Sequence, residues 1–233
     1  MARAHIVKSY DSDIDRIVER IVAMGGMAET QVAGALVALR DGDTAAAEKV
    51  LDDDDALDVD EETIDQMAVR LFALRQPMAV DLRLIAMSLK ISNDLERIGD
   101  YAASVAKRAK RLAPDARPVV QPSVIAMGER VRDMLVDVID AYAERDARLA
   151  MTVWHRDGEV DALHKTLSRE LIDGVASDPT TTSACVDLLF IAKNLERIGD
   201  HATNIAERVH YIVHGDRINR VRGEAQALAA AGD

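Results

Sequence analysis

Residues 94–102 read DLERIGDYA, and residues 194–202 read NLERIGDHA. The hexad LERIGD recurs at a spacing of 100 residues. In each copy Leu and Ile stand three apart, the step of a buried helical stripe, while Glu and Asp stand four apart and share one helix face. These acids are Glu96 and Asp100, then Glu196 and Asp200. Like charges at that spacing cost a helix about 0.2–0.5 kcal/mol. Gly99 and Gly199 each cost about 1 kcal/mol relative to alanine. Both costs are kept in both copies. A glycine inside a helix allows close approach by another group, and paired carboxylates become favourable when a cation lies between them.

Outward from the hexads, apolar residues continue at three- and four-residue steps. The first copy lies in a helix of roughly 77–112, with the stripe Leu84, Met87, Ile91, Leu95, Ile98, Ala102, Val105, Ala109 and Leu112. The second lies in a helix of roughly 180–214, with Leu188, Ile191, Leu195, Ile198, Ala202, Ile205 and Val209. A proline precedes each, Pro77 and Pro179, suited to open a helix because its missing N–H has no partner there. Upstream, a helix of roughly 3–40 carries Ile14, Ile17, Ile21, Met24, Ala28, Val32, Ala35 and Leu39, with Gly25-Gly26 as a possible bend. Asp43 is placed to cap a helix of roughly 44–75, whose stripe is Ile64, Met67, Leu71 and Leu74. The second half repeats this plan. One helix covers roughly 123–143, with Val124, Met127, Val131, Met134, Val138 and Tyr142, and another covers roughly 147–175, capped by Asp146.

The expected fold is therefore all-α: six long helices forming two pseudo-symmetric three-helix bundles. The expected repeats are 1–113 and 123–215, joined by the Pro-rich linker 114–122, with 216–233 as a disordered tail.

Composition agrees with an all-helical chain. Hydrophobic residues make up 48% of the 233 and aromatics only 3%, whereas sheet proteins usually need more aromatics. The net charge of −12 disfavours generic nucleic-acid binding, which needs a basic face. Cys185 is the single cysteine, so no intrachain disulfide is possible. No signal peptide and no unbroken run of apolar residues long enough to span a membrane is read from the sequence. The expected setting is the cytoplasm.

A second set of acids has the same four-residue spacing. Glu61 and Asp65 form one pair in EETID, and Asp157 and Asp161 the other in DGEVD. Antiparallel packing of neighbouring helices would face these pairs towards the hexad acids, giving four carboxylates per half. Asp54 and Asp58, in the run DDDDALDVD at 52–60, compete for the same role. All-oxygen sites suit hard cations such as Mg²⁺, Mn²⁺, Ca²⁺ or ferric iron. The plainer reading is a solvated face balanced by Arg97, Arg197, Arg70 and Arg83.

RQPMAVDLRLIAMSLKISNDLERIGD at 75–100 and KNLERIGDHATNIAERVHYIV at 193–213 resemble the signature of PhoU-type phosphate-signalling regulators. The resemblance runs from the first helix to about residue 214. It implies a negative regulator of the phosphate-starvation response, often a homodimer. Such a regulator links the ATPase of the phosphate ABC transporter to the phosphate-sensing histidine kinase, without direct DNA binding and reaching the membrane only through partners. It also implies a capacity for multinuclear iron or zinc clusters, with Mg or Mn as alternatives, though members occur without metal. The matching pairs are Glu61 with Asp65, Glu96 with Asp100, Asp157 with Asp161, and Glu196 with Asp200. Asp157 departs from the pattern, since the first half has Glu in that position.

No nucleophile–base pair or phosphate-cradling glycine loop marks an enzyme. The alternative is a carboxylate-bridged multinuclear metal protein with oxidase- or phosphatase-type activity. Such sites usually pair Glu-x-x-His motifs on two helices. No Glu-x-x-His is read here: His164 follows Asp161 rather than a glutamate, and LERIGD has no histidine at that offset. His201, His155 and His164 read as packing or surface residues, Trp154 as packing, and Cys185 as a small buried side chain. Arg75, Asp81 and Arg83 form either a partner surface or the fixings of a turn.

Overall fold

The computed structural model describes residues 2–112 and 121–218, with side chains described from residue 10 and, in the second segment, from residue 122. Most of the expected linker and tail, 113–120 and 219–233, lies outside the described residues.

The helices are α1 (Ala2–Asp41), α2 (Thr44–Asp52), α3 (Asp55–Arg75), α4 (Ala79–Ala109), α5 (Gln121–Glu144), α6 (Ala147–Ser177) and α7 (Thr182–His214). No strand occurs among the described residues. The six-helix plan stands, with one interruption: the expected second helix is two, α2 and α3. The break falls in the run of aspartates, poor helix formers that repel one another. Asp53 closes α2 with its N–H on the Lys49 carbonyl at 3.0 Å. The Gln31 side chain of α1 donates to the Asp53 carbonyl at 3.0 Å, which also accepts from the Ala56 N–H at 3.3 Å. The break thus has a partner for its exposed backbone.

Caps set the other boundaries. Gly42, at φ 69°, ends α1, and the Asp43 carboxylate accepts from the N–H groups of Ala45 and Ala46 at 2.9 and 3.0 Å. Asp146 does the same for α6 with Arg148 and Leu149, at 2.8 and 3.0 Å. Pro77 does not open α4. Gln76 turns left-handed at φ 49° and Met78 is extended, so the helix starts at Ala79, after the chain has reversed. Pro179 opens a short 3₁₀ turn, Pro179–Thr181, that leads into α7. Gly215, at φ 80°, closes α7.

Every stripe residue expected in α1, α5 and α7 is buried. In α4 all are buried except Met87, which is half-buried. Leu74 of α3 is the clear exception, 66% exposed at the helix end. By length and apolar composition α1 from Tyr10 to Asp41 could cross a bilayer, contrary to the reading from unbroken apolar runs. Its apolar side chains are spent on the core instead: Ile17, Ile21, Met24 and Val32 are all almost fully buried.

α1, α2/α3 and α4 pack as one group, and α5, α6 and α7 as the other. The groups meet along α1 with α5 and along α4 with α7, and one continuous apolar core runs through both. Gly25 marks a close approach rather than a break: α1 is unbroken there, and a Cβ would lie 2.7 Å from Ile139 of α5. Gly128 of α5 does likewise for Leu36 of α1, at 2.3 Å. Ser88 of α4 and Tyr142 of α5 join hydroxyls at 2.7 Å inside the core, where burial pushes the Tyr142 phenol up to about 12.

Candidate functional site

The two hexads sit at mid-length in α4 and α7, on the two helices that pack against each other. Leu95, Ile98, Leu195 and Ile198 face the core, which leaves the acids at its margin. Within each copy the intervening arginine clasps both acids. Arg97 lies 3.8 Å from Glu96 and donates to Asp100 at 3.0 Å. Arg197 lies 4.0 Å from Glu196 and donates to Asp200 at 3.2 Å. Lys193 adds a second cation on Glu196.

These cations do not cancel the carboxylates. Burial, then Asp100, Glu61 and Asp58, push the Glu96 carboxyl up to about 7, against the pull of Arg97. Burial, with Glu196 and Asp161 nearby, raises Asp200 despite Arg197 and Lys193. Asp54 is raised by burial, then by Asp100, Asp58 and Asp55. The first half therefore gathers Glu96, Asp100, Glu61, Asp58 and Asp54. Asn93 holds the Glu61 carboxylate with a 3.1 Å bond. Asp65 is exposed, and no described interaction draws it to the group. The competing pair Asp54–Asp58, at the start of α3, lies near Asp100 and Glu96 instead.

In the second half, one carboxylate oxygen from each of Asp161, Glu196 and Asp200 lies within 4.8 Å of the others. Asp157 lines the same open cleft as Asp200 and accepts from Thr203 at 3.1 Å. Carboxylates crowded enough to hold protons above their ordinary range are the donor set that a hard cation relieves. Among the described residues only Asp161, Glu196 and Asp200 bring three carboxylate oxygens that close together; the first-half acids interact without converging to that distance.

The plainer reading holds for Arg97 and Arg197 only. Arg70 pairs with no carboxylate among the described residues, and Arg83 donates to the Ile212 carbonyl of α7 at 3.2 Å. The turn residues act as fixings: Arg75 bonds Asp13 at 3.2 Å, and Tyr10 donates to Asp81 at 3.0 Å. Cys185 is buried, and Trp154 is half-buried with its indole N–H on Glu207 at 3.2 Å. The expectation that no Glu-x-x-His occurs is wrong, since Glu207 and His210 form one, but Glu207 accepts from Trp154 and the Asp161–Glu196–Asp200 group includes neither residue.

Sequence reasoning missed Asp94. It is 3% exposed in the α4–α7 seam, where His201 Nδ1 lies 2.9 Å from one carboxylate oxygen and Arg208 pairs with the other. Burial pulls the Arg208 guanidinium below its ordinary value, and Asp94 and Glu207 oppose this. Across the same seam Asn194 donates to Ser104 at 2.8 Å, and the rings of Tyr101 and His201 lie 5.7 Å apart. The signal was available in the repeat: the two nine-residue copies differ only at 94/194 and 101/201. Those are the positions through which the copies meet.

Residues 21–109 and 124–209 match the PhoU domain. The chain belongs to the PhoU family. It is 44% identical over 97% of its length to a phosphate-specific transport system accessory protein PhoU homolog of Caulobacter vibrioides, 98% of which is covered. A homolog of the same name from Rhizobium meliloti is 42% identical, over 92% of this chain and 91% of that one. Among solved structures, PhoU from Pseudomonas aeruginosa superposes with a TM-score of 0.86 at 41% identity, covering 89% of this chain and all of that one. The phosphate transport system regulatory protein PhoU from Streptococcus pneumoniae gives a TM-score of 0.84 at 28% identity, covering 90% of this chain and 99% of that one. The PhoU fold is thus shared down to 28% identity.

Proposed function

We propose that this chain is a non-catalytic negative regulator of the phosphate-starvation response. It works in the cytoplasm as a homodimer, relaying the state of the phosphate ABC transporter to the phosphate-sensing histidine kinase. The observation that carries this reading is the similarity, over 97% of the chain, to a relative named as an accessory protein of phosphate-specific transport. The long helical faces offer docking area, and the net charge of −12 disfavours a direct hold on DNA.

The same proposal gives each half a cation site. Asp161, Glu196 and Asp200, with Asp157 beside them, would hold an iron, zinc, magnesium or manganese ion in the second half. Glu61, Glu96 and Asp100 would do so in the first, with Asp54 and Asp58 in preference to Asp65. Bound metal would neutralise the crowded acids and stiffen the contact of α3 with α4 and of α6 with α7.

The test is deletion of the gene, with transcripts of phosphate-scavenging genes measured in phosphate-rich medium. The transcripts rise, and a plasmid copy silences them. Unchanged transcripts and unchanged phosphate uptake, in a strain lacking any second copy of the gene, would sink the regulatory reading.

A further inference from the structure

At the end of the bundle remote from the hexads, α1 and α3 enclose a small pocket. Its apolar lining is Met67, Leu71 and the largely exposed Leu74, and its charged lining is Arg16, Arg70 and Arg75, with Asp13 as the one acid. Asp13 is already taken by Arg75 at 3.2 Å. Arg16 and Arg70 are exposed and pair with no carboxylate among the described residues. In a chain of net charge −12, three arginines against one aspartate are a local reversal of sign.

We propose that this pocket binds a small tetrahedral oxyanion of the phosphate class. Guanidinium groups present paired N–H donors that match the oxygens of such an anion, and two of the three here are uncommitted. Buried Leu71 and half-buried Met67 exclude water from one side, which strengthens the attraction. The C-terminus of α3 points its partial negative charge, about half a unit, towards this end of the bundle. The arginines outweigh it. Size selects the ligand: the pocket holds about 160 Å³, below the range of roughly 300–1,000 Å³ typical of sites for larger organic ligands. A free anion fits within that volume, whereas the sugar and base of a nucleotide would lie outside it. The site shares no residue with the acidic clusters and does not depend on the regulatory reading.

The experiment is calorimetric titration of the full chain, stripped of metal with chelator, with inorganic phosphate and separately with AMP. Phosphate is expected to bind saturably, and more weakly as salt is raised. Arg16→Gln and Arg70→Gln are each expected to weaken it about tenfold, the factor equivalent to 1.4 kcal/mol. Both side chains are exposed, so circular dichroism and melting should stay those of the parent protein. Three results would overturn the assignment: no saturable phosphate binding, unchanged affinity in both folded variants, or AMP bound through these arginines as tightly as phosphate.

Discussion

His201 Nδ1 lies 2.9 Å from a carboxylate oxygen of Asp94, and the pair joins α7 to α4 at the place where the repeated phrases differ. Arg208 meets the other oxygen, so a carboxylate with 4% side-chain exposure is held between two cationic or proton-bearing partners. Such a group stabilises only while its partners remain, because a lone buried charge is costly.

Asp94→Asn should therefore destabilise the protein by about 3–5 kcal/mol, the usual cost of removing one partner from a buried pair. The check is urea unfolding. In a double-mutant cycle with Arg208→Met, the pair of changes should cost less than the sum of the two. Additive costs would show that the seam does not depend on this pairing.

The two hexad glycines should part company. A Cβ at Gly99 would lie 2.3 Å from Leu57 and 2.8 Å from Gln31, the residue that holds the α2/α3 break. Gly99→Ala should cost about 1–3 kcal/mol through overpacking. At Gly199 the nearest atom, on Val160, is 3.4 Å away, an ordinary contact. Gly199→Ala should be neutral or stabilising by up to about 1 kcal/mol, the helix preference for alanine. Melting temperatures of the two variants decide it.

Glu96 sets a pH dependence. Its carboxyl holds a proton to about 7 in the folded protein, against an ordinary value of 4.5. Between those values the native state binds more protons than the unfolded one, so this group makes stability fall as pH rises through the window. Glu96→Gln removes that slope. Above pH 7 the variant should melt higher than the parent, and below pH 4.5 the two should coincide. Parallel pH profiles would show that the acids are not crowded in solution.

Cation binding should reverse the same penalty. An ion present at about 100 times its dissociation constant should add about 2.7 kcal/mol of stability. Elemental analysis and melting with and without Mn²⁺, Zn²⁺ or Fe³⁺ would show it. Glu196→Gln with Asp200→Asn should abolish the gain in the second half. A metal shift that survives those changes and the matching pair Glu96→Gln with Asp100→Asn would place the ion elsewhere.

Most of the fold was legible because burial follows a periodic rule. The stripes of α1, α5 and α7 were read from three- and four-residue steps, and Asp43 and Asp146 from their position before helices. The α2/α3 break was not: the aspartate run at 52–55 was visible, but the Gln31 contact that satisfies the broken backbone comes from another helix. Leu74 fits the stripe but falls past the end of the packed surface. For the acids, spacing alone does not say which of Asp54, Asp58 and Asp65 lie near Glu96, since that is a matter of tertiary packing. Asp94 was missed because its partners His201 and Arg208 stand on another helix; the only local cue was the difference between the copies at 94 and 194.

The seam also explains why a duplicated chain need not come apart into interchangeable pieces. Two copies of the second half, joined as α4 and α7 are joined here, would set Asn194 against His201 and leave the inward-facing Arg208 with no carboxylate to receive it. The unlike residues at 94 and 194 act as a lock and a key cut from one template. What began as repetition has become mutual dependence, so that each half is the specific partner of the other.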